Sequence, residues 1–164
     1  MIQGSDMFRP LTRTNQELPR DRCIDILCNT KRGVLSVIGD DGYPYGMPLN
    51  HYYDPKDGRI YFHGGKQGHK VDALKRNNKV SYCVYTDGIR EEGNWYLTFE
   101  SVIVFGKVIF IEDEDIIREK SRELSYQFTA DEEYINYEIE RSLNGTLMFA
   151  IEIENITGKT VKEK

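Results

Sequence analysis

The chain has 164 residues, 39% hydrophobic and 30% charged, with a formal net charge of −5. That length and apolar share suit one globular domain over residues 1–164. The acidic balance argues against nonspecific nucleic-acid binding, which needs a basic surface, and no apolar run approaches the roughly 18 residues that span a bilayer.

Met1 to Leu18 contains no apolar h-region, so the expected location is the cytoplasm. Cys23, Cys28 and Cys83 are odd in number and form no CxxC pair, and so read as reduced thiols rather than a disulfide frame or zinc cluster. Residues 1–20 are polar and read as an N-terminal arm. A short helix follows around Asp21–Thr30, where Ile24, Leu27 and Cys28 share a face. Strands are predicted at Gly33–Ile38, Tyr45–Tyr53 and Arg59–His63, joined by hairpin-type turns at Asp40-Asp-Gly42 and Asp54-Pro-Lys-Asp-Gly58. A helix over Gly68–Asn77 and a strand over Lys79–Tyr85 come next. The run Trp95–Ile111 is rich in Thr, Phe, Val and Ile and is interrupted only by Gly106, which predicts a bend, bulge or close backbone approach there.

Asp113 and Asp131 are placed to cap two further helices, one bearing Ile116, Ile117, Lys120 and Leu124, the other Ile135, Ile139 and Leu143. Thr146–Ile153 alternates Leu147, Phe149, Ile151 and Ile153 against Thr146, Met148, Ala150 and Glu152, the period of a last long strand. Five to seven strands in sequential hairpins, without βαβ alternation, predict a mainly β fold with flanking helices, an antiparallel barrel.

Chemistry concentrates in Arg59-Ile-Tyr-Phe-His-Gly-Gly-Lys-Gln-Gly-His-Lys-Val-Asp-Ala-Leu74. It reads as an apolar strand, a glycine-rich turn, then a helix start. The free N–H groups and positive dipole end of that helix, beside Lys66, His69 and Lys70, suit a phosphate or other compact anion. Common catalytic signatures are missing: there is no GxGxxG after a strand, no P-loop, no GxSxG elbow and no HExxH helix. The only histidines are His51, His63 and His69, and without cysteines nearby they make an improbable metal centre.

In their order, these segments resemble the FMN-binding split barrels of the pyridoxamine-phosphate-oxidase superfamily, in particular the nitroimidazole-resistance-like branch. The matching stretches are Gly33-Val-Leu-Ser-Val, Gly42-Tyr-Pro-Tyr-Gly-Met-Pro-Leu-Asn-His-Tyr-Tyr53, Ile60 to Leu74, Val80-Ser-Tyr-Cys-Val84, Tyr96 to Lys107 and Ile151-Glu-Ile-Glu-Asn-Ile-Thr-Gly-Lys159. The resemblance implies an antiparallel split β-barrel and an FMN at a homodimer interface. It implies that Pro48, Leu49, Asn50, His51 and Tyr52 run beside the flavin ring, their backbone groups meeting its pyrimidine edge. His63, Gly64, Lys66, His69 and Lys70 would hold the ribityl phosphate, while Glu100 and Ser101 would close the site. Trp95 and Tyr96 would wall it from the partner subunit or pack within the barrel.

His51 falls where this branch places a residue for substrate chemistry, and an imidazole there could relay a proton. The implied activity is electron transfer from a reduced nicotinamide, NAD(P)H, to a small acceptor such as a nitroimidazole or other nitroaromatic. A flavin-binding protein without turnover and a haem-handling split barrel are the alternatives. The C-terminal Asn155–Lys164 carries no arginine, which disfavours pyridoxamine-phosphate oxidation itself.

Overall fold

A computed structural model describes residues 7–162. Helix α1 (Arg20–Asn29) leads into β1 (Arg32–Ile38), β2 (Pro44–Asn50), β3 (Tyr52–Asp54) and β4 (Arg59–Gly65). Helix α2 (His69–Arg76), β5 (Lys79–Tyr85), β6 (Thr98–Ile111), α3 (Glu114–Tyr126), α4 (Glu132–Ser142) and β7 (Thr146–Lys162) follow. The strands form one antiparallel sheet in the order β2-β1-β5-β6-β7-β4-β3. Its two edge strands, β2 and β3, are consecutive in the chain and separated only by His51. The sheet therefore curls until its edges meet at that residue: an antiparallel split barrel.

Turn chemistry sets the hairpins. Asp41 (φ 55°) and Gly42 (φ 78°) adopt the left-handed conformations that a tight β1–β2 connection requires. Gly58 (φ 71°) does the same between β3 and β4, where its N–H reaches the Asp54 carbonyl at 2.8 Å. Between β6 and β7 the register shifts at Phe105/Gly106, opposite Asn155 and Ile153, so Glu154 is the extra residue of a β-bulge.

The barrel interior holds Leu35, Ile60, Phe62, Tyr82, Val102, Val104, Phe149 and Ile151, all fully buried. Phe62 stacks on Phe149 at 5.1 Å and meets Tyr82 edge-on at 5.0 Å. Side chains of this size each gain about 1.5–3 kcal/mol on burial. Helix α1 packs against β7, β6, β3 and β5 through Cys23, Ile26 and Leu27.

The outer face of β4 and β7 carries a second cluster, Tyr61, Met148 and Ala150, covered by Ile117 of α3. Lys120 of α3 and Asp54 of β3 form a buried ion pair at 2.5 Å that ties the helix to the barrel. Burial alone would lift the Asp54 pKa, but the Lys120 ammonium and the Lys56 N–H hold it below the usual carboxylate range.

Four expectations change. The predicted Tyr45–Tyr53 strand is two strands, β2 and β3, broken at His51. Trp95 and Tyr96 precede β6, whose first residue is Thr98. The last strand runs nine residues past Ile153, to Lys162, because its second half pairs with Thr98–Phe105. The described part of the N-terminal arm docks on the barrel: the Leu18 N–H reaches the Gly158 carbonyl at 2.8 Å and Phe8 stacks on Phe105. Residues 1–6 lie outside the described residues.

Candidate functional site

Along β4 the side chains alternate, Ile60 and Phe62 into the core and Tyr61 and His63 outward. Gly64 and Gly65 still pair with Leu147 and Thr146, and the chain then turns through Gly68, whose φ of +117° suits glycine alone. Gly68 is the N-cap of α2 and no side chain caps that end, so the first-turn N–H groups stay open for an acceptor. Lys70, in the same turn, reaches back over the strand. A Cβ built on Gly64 would lie 3.0 Å from Lys70 Nζ, so the missing side chain makes the room the ammonium occupies.

Among the described residues Lys70 has no carboxylate within ion-pair distance. Its nearest aromatic partner is Phe149, 5.4 Å to the ring centroid. Burial pushes its pKa down with no counter-ion to offset the effect. His63 is exposed, yet the wall around it, and then the Lys70 charge, push its pKa down too. A half-buried unpaired ammonium, an uncapped helix end and two glycines together form a cradle for an anion.

Lys66 lies exposed on the open turn. His69 turns the other way: its ring stacks on Tyr45 at 4.2 Å and Nε2 accepts the Asp40 N–H at 3.3 Å. Helix α2 can offer an anion the backbone at position 69, while the imidazole serves the β1–β2 turn.

Strand β2 is a free edge. Pro44 and Pro48 pair with Ile38 and Val34, and since proline has no N–H, those pairs must be the ones not bonded to β1. By the same alternation, the polar backbone groups of Gly46 and Asn50 and the Pro48 carbonyl point away from the sheet. Leu49 packs against the core, and Asn50 Oδ1 accepts from Arg32 Nε at 2.7 Å. Tyr52 belongs to the opposite edge, paired with Tyr61 and packed beneath α3, where burial, then the Asp54 charge, push its hydroxyl up to about 12.

The proton-relay role expected of His51 does not fit its surroundings. It shares a face with Leu49 and Tyr53, as alternation predicts, but that face is the barrel interior, and the ring is 0% exposed. Nε2 lies 2.9 Å from the Leu27 carbonyl, Nδ1 lies 2.7 Å from the Tyr82 hydroxyl, and the His51 carbonyl accepts from Gln127 Nε2. Both nitrogens are occupied and the residue has no exposed surface. His51 pins the corner where the barrel closes.

Glu100 and Ser101 sit opposite Thr160 and Lys159 of β7, whereas His63 and Gly64 sit opposite Met148 and Leu147. Twelve residues of β7 separate the partners of Glu100 and His63, roughly 40 Å of strand contour at ~3.3 Å per residue. One chain does not bring them together. Glu100 instead accepts from Arg22 of α1. Trp95, 72% exposed, meets Tyr96 edge-on in the loop before β6.

Sequence reasoning missed a cavity of about 340 Å³ between the α3–α4 pair and the outer barrel wall, lined among others by Asn50, His63, Leu124, Phe128, Glu138 and Ser142. A signal for it existed. Ser121 and Ser125 follow Ile117 at i+4 and i+8, which puts small polar residues on the inward face of α3, where a packed helix would carry large ones.

A family model described as pyridoxamine 5'-phosphate oxidase matches residues 19–160. No curated relative matches the chain. Among solved structures, a candidate 5-nitroimidazole antibiotic resistance protein from Bacteroides thetaiotaomicron is similar over 89% of this chain and 87% of its own, with 22% identity and a TM-score of 0.75. A FAD-binding protein from Mesorhizobium loti matches over 89% and 97%, with 21% identity and a TM-score of 0.66. A flavocytochrome from Azotobacter vinelandii matches over 96% and 75%, with 22% identity and a TM-score of 0.75.

Proposed function

The chain belongs to the pyridoxamine 5'-phosphate oxidase family, and from that premise we propose that it is an FMN-binding flavoprotein working as a homodimer. In this reading it moves electrons from a reduced nicotinamide to a small acceptor, with nitroimidazoles and other nitroaromatics as the acceptor class. The observation that carries the proposal is Lys70, an ammonium without a counter-ion among the described residues, held over Gly64 beside the open end of α2.

A ribityl phosphate fits that cradle: a compact dianion would supply the charge Lys70 lacks and accept from the first-turn N–H groups. A terminal phosphate monoester uses these donors better than the diester linkage of a dinucleotide, which favours FMN over FAD. The outward-facing backbone of β2 at Gly46, Pro48 and Asn50 offers the donors and acceptors that a pyrimidine ring edge requires. A bound flavin supplies reversible hydride acceptance at N5. The chain's own part is to anchor the phosphate at the β4–α2 turn and to align the ring along the β2 edge.

Titration of apo-protein with FMN tests the assignment. Lys70→Ala should weaken binding by about 1.5–3 kcal/mol, the usual loss for one charge-assisted bond, and His63→Ala should weaken it in the same direction. Unchanged affinity in both variants would remove the turn from the site. A haem reading draws on one observation, the exposed His63 imidazole. A Soret band in the purified protein, in place of flavin absorbance, would reassign that residue to iron.

A further inference from the structure

The α3–α4 cavity adjoins the cradle, with Asn50 and His63 on its barrel side and the last turns of both helices on the other. We propose that this cavity is the acceptor pocket: it takes a small aromatic molecule that is neutral or cationic, rejects anions, and uses Glu138 to select a ligand carrying an amine or hydroxyl arm. Its place beside a flavin rests on the preceding reading of the cradle; its charge preference does not.

Size and shape come first. About 340 Å³ is near the lower end of ligand cavities, enough for one substituted ring. Leu124 and Ile139, both buried, give the apolar walls, and the Phe128 ring closes one side.

Charge comes second. Among the described residues no lysine or arginine lines the cavity, and the one charged side chain that does is Glu138. Its Oε2 accepts from Arg141 at 2.6 Å, but that pair is solvent-exposed and Arg141 stands outside the lining. Such an exposed pair is weak, so it leaves the carboxylate available to a ligand.

Three of the lining hydroxyls point the same way. Ser125 donates to the Ser121 carbonyl at 2.8 Å, Ser142 to the Glu138 carbonyl at 2.6 Å and Thr146 to the Ser142 carbonyl at 2.9 Å. These three lining hydroxyls have thus given their protons to backbone, and what they show a ligand is lone pairs; the Ser121, Thr129 and Tyr134 hydroxyls, which also line the cavity, keep theirs. The helix C-termini add partial negative charge. At the N-terminus of α4 the Tyr134 N–H is already taken by Asp131, so it is no anion site.

Neutral donors remain on both sides, the Ser121, Thr129 and Tyr134 hydroxyls on the helix side and two groups on the barrel side. Asn50 Oδ1 is held by Arg32, which leaves its amide N–H₂ free, and His63 offers a ring N–H. A nitroaromatic bearing an amine or hydroxyl arm satisfies both ends: nitro oxygens toward Asn50 and His63, arm toward Glu138. A carboxylate or phosphate in place of the arm would face the Glu138 carboxylate and the spent hydroxyls of Ser125, Ser142 and Thr146, with no lysine or arginine among the described lining residues to receive it.

Three probes differing in charge test this: 4-nitrobenzylamine, 4-nitrobenzyl alcohol and 4-nitrobenzoate, titrated by calorimetry into FMN-loaded and apo-protein. The amine should bind tightest, the alcohol next and the benzoate at least tenfold weaker than the amine. Glu138→Gln should bring the amine level with the alcohol while FMN affinity stays unchanged, and Ser121→Trp, which fills the cavity, should abolish binding of all three. Benzoate binding as tightly as the amine, or an amine-to-alcohol ratio unmoved by Glu138→Gln, would overturn the pocket. FMN that fails to bind while the probes keep their order would support the pocket and overturn the flavin reading. FMN that binds while the probes show no order would do the reverse.

Discussion

The protonation state of His51 follows from its partners. The Leu27 carbonyl can only accept, so Nε2 carries the hydrogen, and Nδ1 is left to accept from the Tyr82 hydroxyl. A second proton has no acceptor except that hydroxyl. Burial, partly offset by the Leu27 bond, holds the imidazole pKa below 6.5, and no charged group contributes. The unfolded chain therefore takes up a proton at a higher pH than the folded one, and stability is full above about pH 6.5 and declines as pH falls from there toward the folded-state pKa. One such group gives a slope of at most ~1.4 kcal/mol per pH unit. Denaturant unfolding at pH 7, 6 and 5 should show this decline in the wild type and a shallower one in His51→Gln, which can still donate to Leu27. His63, also shifted down, contributes to both curves and cancels in the comparison. Equal slopes would mean that His51 already shares its proton with solvent.

At the scale of elements, the fold hangs on the long β6–β7 ladder and on the one place where it bends. A Cβ on Gly106 would collide with the Glu152 carbonyl and lie 2.7 Å from Ile151 Cγ2, so the strands can approach at the bulge only because residue 106 has no side chain. Gly106→Ala must push β7 away at the centre of the sheet, and overpacking of that kind costs about 3 kcal/mol. For a chain of this size the melting midpoint should fall by roughly 10 °C, read by calorimetry; an unshifted midpoint would mean the ladder slips its register at no cost. The sequence announced this glycine, because it breaks an otherwise unbroken β-forming run. It also announced both helix caps, Asp113 and Asp131, which accept the first-turn N–H groups. Other features were hidden for physical reasons. Asn155-Ile-Thr-Gly-Lys159 falls outside the predicted last strand because its partner, the first half of β6, lies 50 or more residues away, and local propensity does not register such pairing. His51 looked like a residue of one continuous strand, and only the closure of the sheet reveals that it sits at a corner with its ring inside. The cradle was legible because glycines, a helix start and cations lie within one short stretch. The inward imidazole of His51 and the outward turn of His69 were not, since each is decided by contacts from elements distant in sequence.

At the scale of the molecule, the two halves of the proposed site sit at opposite ends of β7, the cradle beside Leu147 and Met148, Glu100 and Ser101 beside Thr160 and Lys159. No motion that leaves the ladder intact can join them within one chain. A second copy can, because in a two-fold dimer each chain lends its far end to the other's near end. The loop before β6 has the character such a contact needs: Ile89, Trp95 and Leu97 are all exposed apolar residues there. Light scattering should give a mass near twice 19.1 kDa. Subunit mixing then separates a composite site from a mere dimer. Lys70→Ala and Ser101→Tyr should each bind FMN poorly alone. After unfolding and refolding together in equal amounts, half the dimers carry one chain of each kind, and each of these holds one site with both residues intact. High-affinity FMN binding should return to about a quarter of all sites, as two-fold exchange requires. No recovery would place both residues in the same subunit's site, against the distance along β7, and a fully loaded monomer would remove the partner from the site altogether.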